Sequence, residues 1–417
     1  MTLGHHDTTE DVRPIPRIAI QAFCETADVA RALEEAGADR RMSRAHLKVQ
    51  MGGLPAAVEC YGSAPTPNLV VVESTGRSED LLGHLDGLAD VCDPGTKVLV
   101  IGHVNDVVLY RELMRRGVSE YVVAPLDLFA VIRAIGELYA GPATTPVGRT
   151  VAFIGAKGGC GSSTVAHNVA WAIGKTYGTE VLISDLDLAW GTAGLDFNID
   201  PTQGVLEALN SPERLDDVLF ERLLSKCSDQ LSILAAPAML DRTYDQMETD
   251  YDAIVEVARS SVPVVVLDLP HQWNAWVKRQ LCEADDVMIV ATPELSSLRN
   301  AKSLVDALKN GRPNDGAPNL VINMAGMPKR PEIKPEEFAK ALDLPVAATI
   351  GFDAAAFGNA ANKGLMIGEM DAKHPAAEVF RTLATLATGR RDQRKGRRAA
   401  FDLAPLLAKL RLPKKAS

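Results

Sequence analysis

Four apolar residues, Val151 to Ile154, run directly into a turn with glycines at 155, 158, 159 and 161, and helical spacing resumes at Ser163. Val165, Val169, Ala172 and Ile173 then fall along one side of the expected helix, Ser163 to Ile173. An uninterrupted apolar run of this kind is a buried parallel strand. Strand, glycine loop and helix start together form a cradle for an anion. Small residues let backbone N–H groups converge on a phosphate at the helix N-terminus. The stretch therefore demands an open α/β sheet with this strand inside it.

The ordinary phosphate-loop pattern is G-x-x-x-x-G-K-[ST]. With Gly161 as its second glycine, Ala156 takes the first glycine position, Ser162 the lysine and Ser163 the hydroxyl that faces magnesium. The lysine between the β- and γ-phosphates is thus missing, and a different one, Lys157, stands early in the loop. In this the stretch Ala156-Lys-Gly-Gly-Cys-Gly161 resembles the deviant phosphate loop of the MinD/ParA family. The resemblance implies ATP and Mg2+ as ligands. It implies a nucleotide cradle of Lys157, Gly158, Gly159, Cys160, Gly161, Ser162, Ser163 and Thr164, and a Lys157 that reaches across a homodimer to the partner's nucleotide.

At 417 residues the chain exceeds one ordinary domain. No stretch approaches the ~20 apolar residues of a membrane span, and the polar, acidic start is unlike a secretory signal. Six scattered cysteines without a C-x-x-C pair fit buried thiols in a reducing compartment, so a cytoplasmic protein is expected. Ten Lys/Arg against two Asp make residues 390–417 a +8 segment, which leaves −18 of the net −10 on the rest of the chain. An acidic body disfavours broad DNA binding.

From Arg17 the pattern alternates strand and helix, which means a parallel sheet covered on both faces. Strands are expected at Arg17–Phe23, near Leu47–Val49, and at Leu69–Val72, Lys97–Ile101 and Tyr121–Val123. Helices are expected at Ala27–Ala36, Leu81–Val91, Val107–Arg116 and Leu128–Tyr139. Pro67 to Ser74 and Gly117 to Asp127 resemble the response-regulator receiver domain, while an unrelated flavodoxin-like domain remains the alternative. Glu73 stands where the receiver's phosphorylated aspartate would be, Gly102 replaces its switch Ser/Thr and Ala124 its lysine. Glu25 supplies a single carboxylate where metal-binding receivers have a pair. The expectation is a degenerate receiver used for docking. The organisation read from the chain is a disordered 1–16, a receiver-like domain 17–140, a linker 141–149, a MinD/ParA-like domain 150–389 and a basic amphipathic tail 390–417. The fold class is α/β, two doubly wound parallel-sheet domains.

Around the loop, Asp185 and Asp187 close the strand that begins at Val181, at the carboxyl end where open α/β sheets bind ligands. Val262 to Asp268 is a Walker-B-like strand whose Asp268 is placed to hold a magnesium-bound water. Ser163 and Asp185 complete the expected metal site. The family resemblance makes Asp187 the residue that positions the attacking water and Asn323 the reader of the adenine edge. Thr292, Pro293, Glu294, Ser297 and Arg299 match a further family stretch. His271, Trp273 and Trp276 are expected to pack against a partner or second subunit.

A receiver-like domain ahead of a lysine-poor MinD/ParA loop, with Asp185-Leu-Asp-Leu-Ala-Trp-Gly-Thr-Ala-Gly-Leu-Asp196, resembles the CpaE/TadZ group of pilus assembly proteins. That resemblance implies an ATP-bridged dimer that helps localise a Flp (Tad) pilus secretion apparatus at the cell pole, with slow hydrolysis at most. The alternative is an active ParA-type ATPase in DNA partitioning or cell-pole organisation. From Pro405, Leu406, Leu407 and Leu410 share one helical face beside basic residues, a pattern suited to peripheral contact with an anionic membrane.

Overall fold

The computed structural model describes residues 15–139 and 147–389, apart from residues 238 and 242. The segments 1–14 and 140–146 and the basic tail lie outside the described residues. Two parallel-sheet units are present, both α/β. In chain order the first sheet is built from β1 (Ala19–Cys24), α1 (Ala27–Gly37), β2 (His46–Met51), α2 (Gly53–Tyr61), β3 (Leu69–Ser74), α3 (Ser78–Val91), β4 (Lys97–Gly102), α4 (Val107–Arg115), β5 (Glu120–Val123) and α5 (Leu128–Tyr139). Its order is β2-β1-β3-β4-β5, with all pairs parallel. This is the doubly wound order shared by receivers and flavodoxins.

Period-two alternation explains the two cores. Ile20, Ala22 and Cys24 of β1 face α1 and α5, while Phe23 with Val70 and Val72 of β3 faces α2, α3 and α4. Ile15, which the sequence reading leaves in the N-terminal segment, is buried there, and its N–H donates to the Arg41 carbonyl at 2.7 Å. The first compact unit also takes in residues 278–285 and 304–317. Within it Asp315 is buried among three guanidiniums. It accepts from Arg40 Nε at 2.7 Å and Arg41 Nη2 at 2.7 Å, and Arg312 Nε lies 3.6 Å away.

The second sheet is threaded by β6 (Arg149–Gly155), α6 (Ser162–Tyr177), β7 (Val181–Asp185), α7 (Ala193–Asp196), α8 (Val205–Asn210), α9 (Asp217–Leu223), β8 (Ser225–Lys226), β9 (Leu231–Leu234), α10 (Asp252–Ser261) and β10 (Val264–Asp268). It continues through α11 (Ala275–Glu283), β11 (Asp286–Ala291), α12 (Leu295–Gly311), β12 (Asn319–Ala325), α13 (Pro335–Leu342), β13 (Val346–Gly351), α14 (Ala354–Lys363), α15 (Ile367–Met370) and α16 (Pro375–Ala387). The order is β13-β12-β11-β6-β10-β7-β9-β8, antiparallel only between β8 and β9.

Val151 and Phe153 of β6 pack with Val165, Val169 and Ile173 of α6, which in turn meet Phe380 and Leu383 of α16. Strand β6 sits between β10 and β11. The glycine loop therefore leaves the sheet near its middle, flanked by the carboxyl ends of both neighbours. Among the described residues no helix is long and apolar enough to cross a membrane.

Candidate functional site

The loop after β6 is held from below. Ala156 N–H donates to the Val290 carbonyl at 2.8 Å, and Asn300 Nδ2 donates to the Ala156 carbonyl at 2.8 Å. Cys160 is buried with Sγ 3.3 Å from the Val290 carbonyl oxygen, and burial raises its thiol pKa, as for a thiol that packs in the core. Gly161 enters α6 at φ +80, and a Cβ on it would lie 2.6 Å from Asn323 Nδ2. Only glycine satisfies both constraints. Gly158 and Gly159 are exposed, and Ser162, Ser163 and Thr164 start the helix with their sides partly open.

Asp268 and Asp185 are directly paired across β10 and β7, which brings two buried carboxylates side by side at the loop. Burial, then the charge of Asp268, pushes the Asp185 carboxyl upward. Both Asp185 oxygens are used within the chain, one accepting from Asp187 N–H at 3.3 Å and the other from Ala193 N–H at 3.0 Å. Asp187 is half-buried, its pKa raised mainly by burial, and it accepts from Trp190 N–H at 3.1 Å. Asp268 Oδ1 and Ser162 Oγ are buried with no hydrogen-bond partner in the protein.

Such orphaned polar atoms beside a glycine cradle fit a phosphate and a metal-bound water. No group of three or more His, Cys, Asp or Glu among the described residues is arranged to hold a metal alone. Magnesium is held by one or two carboxylates together with phosphates and waters, and Asp268 Oδ1 offers one such carboxylate oxygen.

Lys157 is partly exposed, and its ammonium pairs with the Glu294 carboxylate, which lowers the Glu294 pKa. Asn323 is buried, donates to the Cys160 carbonyl at 2.9 Å and accepts from Met324 N–H at 2.9 Å. It also lines a cavity of about 140 Å³ with Thr164, Met324, Phe352, Asp353 and Phe357. His271 holds the Gly155 carbonyl through Nδ1 at 2.8 Å. Of the residues expected to face a partner, Trp273 is exposed but Trp276 is not. Trp276 stacks 4.4 Å from Tyr251 and belongs to the core, because it falls on the inner side of α11. Trp190, Leu195 and Leu295 are exposed on the segments that follow β7 and β11.

No sequence pattern singles out His167. It is fully buried on α6, with Nδ1 2.7 Å from Asp196 Oδ2 and Nε2 3.3 Å from Asp268 Oδ2. The second approach lacks hydrogen-bond alignment. Burial lowers the imidazole pKa, but the two carboxylates outweigh it and hold the ring above its usual range. The available signal was a histidine inside the apolar stripe of Val165 and Val169.

In the first unit, Glu73 is buried at the end of β3 and fully engaged. It accepts from the N–H groups of Glu25 and Thr26 at 2.8 and 2.9 Å, from the Thr26 hydroxyl at 2.7 Å and from His103 Nε2 at 2.9 Å. Burial raises its pKa, but these bonds outweigh that and leave the carboxyl below its usual range. Glu25 is likewise taken up by the Thr75 N–H at 2.7 Å and hydroxyl at 2.6 Å. A Cβ at Gly102 would lie 2.1 Å from the Tyr121 hydroxyl, which donates to the Val104 carbonyl at 2.7 Å. Incubation with acetyl phosphate is therefore expected to leave the mass of the protein unchanged, as intact-mass spectrometry would read. An acyl-phosphate on Glu73 would contradict this.

An AAA domain family model matches residues 148–316. A pilus assembly protein CpaE from Caulobacter crescentus CB15, known from its crystal structure, is 58% identical, with 31% of this chain and 98% of that chain aligned in the N-terminal part and a TM-score of 0.30. Here the identity, and not the TM-score, carries the relation. The septum site-determining protein MinD of Bacillus subtilis (strain 168) is 24% identical over 257 residues, covering 58% of this chain and 90% of that protein. A ParA family ATPase from Chlorobium tepidum TLS is 23% identical over 58% of this chain and 98% of its own, with a TM-score of 0.51, which shows a shared fold.

Proposed function

From the premise that the chain belongs to the CpaE pilus assembly proteins and carries a MinD/ParA-type domain, we propose an ATP-binding localisation and assembly factor for a Flp (Tad) pilus secretion machine. It works as a nucleotide-bridged homodimer and hydrolyses ATP slowly or not at all. One observation carries this reading: the glycine loop is fully built, yet Ser162, with a buried and unpartnered hydroxyl, occupies the place of the in-cis lysine.

In this reading the loop from Lys157 to Thr164 holds the phosphates and Ser163 and Asp268 face Mg2+, Asp268 through water. Asp185, also assigned to the metal site, braces the backbone beside them. The cavity between Asn323 and Phe352 takes the adenine. Asp187 positions water. Exposed Trp190, Trp273 and Leu295 around the loop support a face-to-face dimer. The partners are the pilus-secretion proteins at the pole, with peripheral membrane contact through the tail and no role for DNA.

Losing one charge-assisted contact costs roughly 1.5–3 kcal/mol of phosphate binding. Nucleotide binding survives such a loss. Phosphoryl transfer depends on positioned positive charge and suffers more. Turnover is expected far below the roughly 1–100 s⁻¹ of efficient phosphoryl-transfer enzymes, with Ser162→Lys raising turnover or tightening nucleotide binding. A steady-state ATPase assay beside light scattering with and without Mg-ATP tests both halves. Parent turnover within that range, abolished by Asp187→Ala, would favour an active ParA-type ATPase instead.

A further inference from the structure

One side chain of the nucleotide-loop helix has no part in the reading above. His167 is wholly buried, and its two ring nitrogens face carboxylates from two different segments: Asp196 of α7 at 2.7 Å and Asp268 at the end of β10 at 3.3 Å. Asp196 closes the segment that begins at Asp187, and the Thr192 hydroxyl lies 3.4 Å from the same Asp196 oxygen. The Phe197 ring packs 5.8 Å from the imidazole. On Asp268, one oxygen lies 3.3 Å from His167 Nε2 as a charge contact without hydrogen-bond alignment, while the other, Oδ1, has no protein partner.

A carboxylate turns freely about its last torsion unless something holds one of its oxygens. A group that ligates metal or its water depends on such a hold for orientation. We propose that His167 is a positioning residue that orients the Asp268 carboxylate and clamps the Asp187–Asp196 segment to the nucleotide-loop helix, so that one side chain sets both the metal side and the water side of the site. The proposal rests on the Mg-nucleotide reading.

Two amide variants separate its two contacts. In His167→Asn the amide reaches as far as Nδ1, retaining Asp196 and giving up Asp268. In His167→Gln it reaches as far as Nε2 and keeps a donor directed at Asp268. Binding of a ribose-labelled fluorescent ATP analogue to the full chain is measured with Mg2+ and with EDTA, alongside thermal melting. The expected result is that His167→Asn loses about tenfold of the affinity gained from Mg2+, with affinity in EDTA unchanged, while His167→Gln keeps the gain. Retention of the full Mg2+ gain in a folded His167→Asn, or equal loss in both variants, overturns the proposal. So does a joint fall of melting temperature and metal-independent affinity, which marks a purely structural residue. Absence of nucleotide binding by the parent, with or without Mg2+, overturns the nucleotide reading itself and this proposal with it.

Discussion

Lys157→Ala is expected to abolish ATP-dependent dimerisation while leaving the fold intact. The side chain is partly exposed and takes no part in either core, so its loss removes no packing. If each Lys157 bonds the partner's phosphates, a symmetric dimer loses two charge-assisted contacts of about 1.5–3 kcal/mol each. The dimerisation constant then falls by roughly two to four orders of magnitude. Multi-angle light scattering with Mg-ATP reads this directly. Glu294 supplies the control, because within the chain its carboxylate holds the Lys157 ammonium. Glu294→Gln releases that ammonium and should leave the dimer as strong or stronger. A Lys157→Ala protein that dimerises with ATP as well as the parent does would falsify the action in trans.

Asp315→Asn should strongly destabilise the first unit. Its carboxylate is buried and answers Arg40, Arg41 and Arg312 together. Arg40 keeps Asp285 and Arg41 keeps Asp39, but the carboxylate that joins the three guanidiniums is gone and their mutual repulsion in a buried place is less well balanced. Removing one member of a buried ionic group costs about 3–5 kcal/mol. The variant should therefore shift the urea midpoint of the unit that contains it, at unchanged slope. A loss below about 1 kcal/mol, the scale of an exposed pair, would mean that solvent already screens these charges.

Much of the architecture was legible because it follows local rules. Continuous apolar runs marked β3, β6 and β10, and the glycine loop marked the strand whose carboxyl end carries the site. Helix α5 begins and ends where its period begins and ends, at Leu128 and Tyr139. Helix α2 escaped notice because Gly52, Gly53 and Pro55 look like a turn. Pro55 falls in the first helical turn, where its missing N–H costs nothing, and Gly52 at φ +126 supplies the entry. The short strands β8 and β9 at the sheet edge carry too few residues for a period to show.

The site divides in the same way. Loop, Asp187 and Asp268 each sit on a recognisable local pattern. His167 draws its meaning from residues 29 and 101 positions away, and no spacing along one helix reveals such contacts. Trp276 shows the same limit. Its neighbour Trp273 is exposed, and only packing against Tyr251 separates the two.

The Tyr121 ring above Gly102 closes the end of the first sheet to an added side chain. A hydroxyl residue placed at 102 would meet the tyrosine oxygen before it met any phosphate, because even a Cβ comes within 2.1 Å. Tyr121 would first have to leave a buried seat and release the Val104 carbonyl. Glu73 would in turn have to surrender four donors that pin the start of α1 and His103. Each change is blocked by the others, so no single substitution here makes room for a phosphate. The end of this sheet is closed by its own side chains, and opening it to a phosphate takes coordinated changes at Glu73, Gly102 and Tyr121.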